Sequence, residues 1–319
     1  MDESVTFDVN QKISLIPYER KDIFSMQEAH QKAGWGHDLF NIPQSWRYSE
    51  GAGIRIAVLD TGCQLDHPDL ANNLLPGYNF IENNNSPIDK RGHGTHVTGI
   101  MVAENNSIGM VGVCPKAKVI PVKVLDDQGN GTMQSLIQGI IYAADMGADF
   151  ISMSLGNPMP VFQVREAIRY AQSKGCITFA AAGNTGWSKH IMFPAAYPET
   201  IAVGAIDRQL RRAEFSNTGH NLDFMAPGVD IFSTVPLNWY ALMSGTSMAQ
   251  PFACGVSALL KSYSQNHPEK NIRLNTTLDY RNYLLNFTTP TRNRNGKTKR
   301  KFFEGYGILD PRRLSGSAT

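Results

Sequence analysis

From residue 53 onward the chain alternates short apolar runs with longer stretches whose apolar positions recur every three or four residues. IRIAVLD (54–60), KVIPVKVL (118–125), FISMSL (150–155), ITFAAAG (177–183), TIAVGAI (200–206) and DFMAPG (223–228) predict strands. HVTGIMVAE (96–104), MQSLIQGIIYAADMG (133–147), VREAIRYAQSKG (164–175) and PFACGVSALLKSYSQ (251–265) predict helices. Strands that are apolar at nearly every position are buried on both faces. Alternating with helices, they predict an α/β fold with a mostly parallel sheet between two helical layers. Functional groups in such sheets gather at the carboxyl ends of the strands, where Asp60 and Asn184 fall. The chain has no internal repeat and no low-complexity segment.

Composition narrows the class. The 319 residues, 42% hydrophobic and 18% charged, suffice for one large domain or two smaller ones. A net charge of +2 argues against nucleic acid or an anionic membrane as a main partner. The basic run RNRNGKTKRK (292–301) reads as a solvated loop. The first thirty residues lack the basic start, apolar core and small-residue cleavage site of an export signal. No stretch reaches the roughly 18 apolar residues of a membrane span. These features predict a cytoplasmic protein. Cys63, Cys114, Cys176 and Cys254 are scattered without a CxxC pair, so free, buried thiols are expected. A reactive thiol at Cys63, three residues past Asp60, is the alternative.

The candidate chemistry starts at LMSGTSMAQP (242–251), where Ser247 sits among small residues at the mouth of a helix. Such a serine either caps the helix or acts as a nucleophile, with the helix start offering N–H donors to a developing oxyanion. The nucleophile needs a base, an orienting carboxylate and a further donor. Asp60 in AVLDTG ends a strand, and it either starts a turn or orients a base. In RGHGTHVTG, Gly92 and Gly94 predict an exposed His93, the better base, whereas His96 opens an apolar face and reads as packed. The pair lacks the HExxH spacing of a zinc helix. Asn184 in FAAAGNTG either begins a turn or donates to an oxyanion.

AVLDTG, GHGTHVTG, AAAGN and SGTSMA, in the order Asp, His, Asn, Ser, resemble the subtilisin family of serine proteases. That order is a pattern already described for subtilisins, and here it is matched, not discovered. The resemblance extends through DHPDL (66–70), ENNSIGMVGV (104–113), SMSLG (152–156), FPAAYPETIAVGAID (193–207), FSNTG (215–219), APGVDIFST (226–234) and GYGILD (305–310). It implies a subtilisin-like three-layer fold and hydrolysis of protein and peptide substrates. In that scheme Ser247 attacks, His93 carries the proton, Asp60 orients His93, and Asn184 binds the oxyanion with the Ser247 N–H. A dedicated processing peptidase and a non-catalytic binding module on the same fold remain the alternatives.

The resemblance implies further parts. An extended substrate would lie between Gly129, Asn130 and Gly131 on one side and Ser154, Leu155 and Gly156 on the other. Ala181, Ala182 and Gly183 would line the pocket for the residue before the cleaved bond. A structural calcium ion would take Asp69, Glu104, Asn106, Ile108 and Met110, several through carbonyl oxygens. The segment ISLIPYE is similar to the short leader of intracellular subtilisins, with Leu15, Ile16, Pro17 and Tyr18 across the active site as an inhibitor. A strand or tail packed elsewhere is the alternative. The implied layout is a leader at 1–25, a peptidase domain at 26–319, and a homodimer. Phe252 and Cys254 stand where relatives usually carry His and Ala, and they bear on packing behind the site.

Overall fold

Complete burial explains why the central strands carry no polar face: every residue of Ile177–Ala181 and Thr200–Ile206 is buried. The computed structural model describes residues 11–25, 31–186, 190–270, 274, 276–292 and 301–315. In chain order the strands are β1 (Lys12–Leu15), β2 (Glu19–Phe24), β3 (Arg55–Asp60), β4 (Tyr78–Asn79), β5 (Lys118–Lys123), β6 (Asn130–Thr132), β7 (Phe150–Met153), β8 (Leu155–Gly156), β9 (Ile177–Ala181) and β10 (Thr200–Ile206). They continue with β11 (Phe224–Pro227), β12 (Ile231–Val235), β13 (Trp239–Ser244), β14 (Thr288–Thr289) and β15 (Ile308–Leu309). The helices are α1 (Trp35–Leu39), α2 (Ile42–Ser45), α3 (His93–Val102), α4 (Met133–Asp145), α5 (Phe162–Ser173), α6 (Thr246–Asn266), α7 (Thr277–Leu285) and α8 (Lys301–Glu304).

The main sheet runs β14-β15-β11-β10-β9-β7-β3-β5-β4. Its neighbours are parallel except for the β14–β15 pair at one edge. Helices α3 and α6 pack together on one face and α4 and α5 on the other, giving the α/β/α three-layer fold. From β3 the chain moves outward to β5 and then returns to β7 on the opposite side of β3. This reversal opens a crevice at the carboxyl ends of β3 and β7, next to Asp60 and Ser154.

Two small sheets flank that crevice, in the orders β6-β1-β8 and β12-β13-β2. Each takes one strand from residues 12–24.

Several boundaries differ from the sequence expectation. The predicted 150–155 strand divides at Ser154: β7 stays in the main sheet while β8 turns to pair with β1. Helix α3 begins at His93, not 96, and α6 at Thr246, not 251. Pro251 lies inside α6 and has no N–H to give to the Ser247 carbonyl one turn earlier. That carbonyl instead accepts from Ser154 Oγ at 3.0 Å, tying the helix start to the end of β7. Hairpin β12–β13 and helix α7 were not predicted. Residues 293–300 of the basic run lie outside the described residues. Among the described residues no helix is long and apolar enough to cross a membrane.

Candidate active site

Asp60 is the last residue of β3 and is fully buried. Its carboxylate accepts from the Thr61 N–H at 2.8 Å and faces His93 Nδ1 at 2.8 and 3.0 Å. This places the proton on Nδ1 and leaves Nε2 as the acceptor. The approach depends on Gly94, because a Cβ there would lie 2.1 Å from the Gly62 carbonyl oxygen and 3.2 Å from Asp60 Cβ.

A second carboxylate, which sequence reasoning missed, holds the turn before His93. Asp89 is buried and accepts from Thr61 Oγ1, the Arg91 and Gly92 N–H groups, and both the N–H and Oγ1 of Thr95. Its placement three residues before Gly92 was the available signal, since Asp bonds forward to nearby N–H groups in turns.

His93 is buried, contrary to the exposed position expected from its flanking glycines. The Tyr18 ring lies against it, with centroids 4.7 Å apart, so a residue distant in the sequence supplies the cover. His93 Nε2 has no hydrogen-bond partner. Ser247 Oγ donates instead to the Ser154 carbonyl at 3.3 Å. Ser247 is the second residue of α6 and does not cap it; the N-cap is Gly245, without a side-chain bond. His96 is packed as expected. Its Nε2–H points at the Ile231 and Ala241 carbonyls, both at 3.1 Å, and burial lowers its pKa to about 3.

Asn184 follows β9. Its Oδ1 accepts from the Thr246 N–H at 2.9 Å and from Thr246 Oγ1 at 2.7 Å. With the oxygen so engaged, the amide NH₂ must face the crevice. It donates to the Pro17 carbonyl at 2.7 Å.

Residues 12–18 fill the crevice. Strand β1 runs antiparallel to both β6 and β8, pairing Ser14 with Asn130 and Gly156, Ile13 with Gly131, and Leu15 with Leu155. The Leu15 N–H donates to the Gly129 carbonyl at 2.9 Å. Gly129 has φ +82°, a backbone conformation that favours glycine, and a Cβ there would sit 2.9 Å from Leu15 Cδ1. Ile16 is fully buried, and its Cγ1 is 3.3 Å from where a Cβ on Gly156 would stand. Ala181, Ala182 and Gly183 are buried nearby in the chain's path from β9 to Asn184. Met192 was also missed. Its side chain crowds both Gly156 and Gly183, and no sequence pattern marks it.

Of the proposed metal ligands, Asp69 is fully buried. Its carboxylate accepts from Asn106 Nδ2 at 3.0 Å, the Met110 N–H at 3.0 Å and the Tyr240 hydroxyl at 2.9 Å. Glu104 has its side chain and carbonyl turned to different partners. Its carboxylate accepts from Asn72 at 3.3 and 3.2 Å, and only its carbonyl faces Gln31, 2.9 Å from Nε2. Ile108 is exposed and its N–H bonds to Asn106 Oδ1 at 3.1 Å. Among the described residues no cluster of three or more His, Cys, Asp or Glu side chains suits a metal ion. All four cysteines are free and buried, and burial pushes the Cys63 thiol far up, which disfavours the thiolate.

Comparison with known proteins agrees with this geometry. The profile of the subtilase family, peptidase class S8, matches residues 51–307. Thermitase of Thermoactinomyces vulgaris is 44% identical over 240 residues, which are 75% of this chain and 85% of thermitase. An intracellular serine protease of Paenibacillus polymyxa is 39% identical over 272 residues, 83% of this chain and 82% of that protein. The major intracellular serine protease of Bacillus subtilis is 38% identical over 275 residues, 83% and 85% of the two chains. A family match over most of the sequence and relatives at this level of identity place the chain in the subtilase family, as a subtilisin-like serine endopeptidase.

Proposed function

We propose that Ser247, His93, Asp60 and Asn184 perform the hydrolysis and that residues 1–25 are a leader that blocks it. The observation carrying this reading is a single bond: Asn184 donates at 2.7 Å to a peptide carbonyl delivered by a strand lying between β6 and β8. A substrate in that place adds as a strand, with main-chain bonds tolerating varied sequences. Ser247 Oγ attacks the carbonyl carbon as its proton passes to His93 Nε2. Asp60 fixes the ring and stabilises its cation. The oxyanion is held by Asn184 Nδ2 and the Ser247 N–H at the positive end of α6. The imidazolium then protonates the leaving amine, and water repeats the sequence to release the acyl group.

The leader occupies these same groups out of step. Ile16 takes the pocket beside Gly156 and Met192, yet the carbonyl on Asn184 belongs to Pro17, one residue further along. The bond after the pocket residue is therefore not the one held for attack. With Tyr18 against the His93 ring, Ser247 Oγ bonds the Ser154 carbonyl and His93 Nε2 stays unpaired.

We assign the loop 104–110 and Asp69 to a structural calcium ion. The fit rests on a fully buried Asp69 carboxylate that has only neutral donors around it. Rotation of the Asn106 amide would present oxygen in place of nitrogen, and the Glu104, Ile108 and Met110 carbonyls would complete an all-oxygen set. Its work would be in the cytoplasm, a reading supported by relatives named as intracellular serine proteases.

The test is labelling by a fluorophosphonate together with casein digestion, comparing the whole chain, Ser247→Ala and a form lacking residues up to about 20. Labelling confined to Ser247 and faster digestion by the trimmed form are expected. Labelling that persists in Ser247→Ala would refute the assignment.

A further inference from the structure

We propose that Arg91 gives the groove a preference for an acidic side chain at the substrate position that Leu15 occupies. The inference deepens the groove reading above and rests on it.

Arg91 stands two residues before His93, at the wall of the groove. A Cβ placed on Gly129 would lie 2.9 Å from Leu15 Cδ1 and 3.1 Å from Arg91 Nε, so both flank one point. Arg91 Nε is buried without a hydrogen-bond partner. Nη1 makes one long contact, 3.4 Å to the Asp127 carbonyl. Among the described residues the nearby carboxylates form no ion pair with the guanidinium. Asp127 is engaged by Lys123 at 2.8 Å and Lys90 at 3.7 Å, and Asp126 accepts the Gln128 and Asn130 N–H groups of its own turn. Asp89 meets only the Arg91 backbone N–H and is otherwise spent on Thr61, Gly92 and Thr95. Burial raises the Tyr18 phenol, and the Arg91 charge and a side-chain hydrogen bond between the two pull it back, so the guanidinium is paired with the leader's Tyr18 while its Nε is not.

A buried donor left unpaired is costly, and an arginine beside a leucine satisfies neither partner. Glutamate at that position would bring a carboxylate to Nε and gain a charge-assisted bond where water is largely excluded. The Leu15 of the leader therefore leaves this donor unused, and an acidic substrate would use it.

The test is a competition in one tube between two peptides that differ only at the Leu15 position, Glu against Gln, with products counted by mass spectrometry. The ratio of rates does not depend on how many molecules have an open leader, so the full chain serves, alone or with Ile16→Ala to loosen the leader. The Glu peptide is expected to be cut about tenfold more efficiently, in the range of a charge-assisted bond. Salt should narrow the gap. Arg91→Gln should bring the ratio near one, and Arg91→Glu should invert it in favour of the Gln peptide. Equal cutting of Glu and Gln peptides, or a preference surviving Arg91→Gln, overturns the inference alone. A preference for acid at the Tyr18 position instead would also overturn it. If neither peptide is cut even with Ile16→Ala, the groove reading fails and takes this inference with it.

Discussion

Replacing Ile16 by alanine separates the inhibited and working states cleanly. Ile16 is fully buried beside Gly156 and Met192, and under the inhibition proposed above it would leave that pocket when the leader lifts. Removing its side chain therefore weakens only the closed state. A buried Ile→Ala change costs about 2–5 kcal/mol. The groove opens to water when empty, so the lower end applies, and about 2 kcal/mol shifts the closed-to-open equilibrium roughly 30-fold. The assay is cleavage of a fluorogenic peptide by the uncut full-length protein, with mass spectrometry confirming that the leader is intact. Activity of the variant should rise about 30-fold toward the ceiling set by the form lacking residues up to about 20. That trimmed form no longer contains position 16, so it is the same molecule in both series and fixes the ceiling. Unchanged full-length activity, well below the ceiling, would show that Ile16 does not hold the leader in place.

Asn184→Ala should lower kcat by about 10²–10³, the loss known for such a donor in a subtilisin itself, with KM little changed; a fall confined to KM would contradict the oxyanion role. Pro17→Ala should let the leader slide into step and be cut after Ile16, giving a new amino terminus at residue 17 by mass spectrometry; a leader that stays whole counts against the offset described above. In Ser247→Ala protein, calcium should raise Tm and a chelator lower it, an effect that Asp69→Asn should remove; equal Tm values with and without chelator would rule out the site. Burial holds His37 at about 4 and His96 at about 3, each with one ring nitrogen lacking a partner. The unfolded chain, titrating near 6.5, takes up protons first, so their stabilisation is present above about pH 6.5 and declines as pH falls, by about 1.4 kcal/mol per unit for each histidine. Tm should drop between pH 6.5 and 5, and a flat profile across that window would refute it.

The sheet was legible because its strands lack a polar face. Runs such as ITFAAAG and TIAVGAI coincide with β9 and β10 to within two residues. The hairpin β12–β13 was not legible. It turns through Leu237 and Asn238, both with positive φ, where the sequence offers no glycine to signal the bend. Its strands carry Ser233, Thr234 and Ser244, whose hydroxyls bond the His96 and Thr95 carbonyls and the Asp230 N–H, so polar letters hide buried positions. Helix α7 did leave a trace: Thr276 and Asp279 form a reciprocal cap, the S/T-x-x-acid pattern of a helix start.

The limits at the site have one physical source. Local sequence describes what a residue is able to do, whereas exposure and partners come from chain segments that pack over it. The glycines around His93 correctly indicate a tight approach, seen in the space denied beside Gly94, but they say nothing about Tyr18 covering the ring. In the same way the sequence leaves Ser247 open to a capping role, whereas it is the second residue of α6, and only the Ser154 hydroxyl on its carbonyl reveals why a helix containing Pro251 can begin that early. The resemblance names the residues. Which of them face the groove, which face Asn72 as Glu104 does, and which side chain such as Met192 narrows the pocket follow from contacts that no single segment encodes.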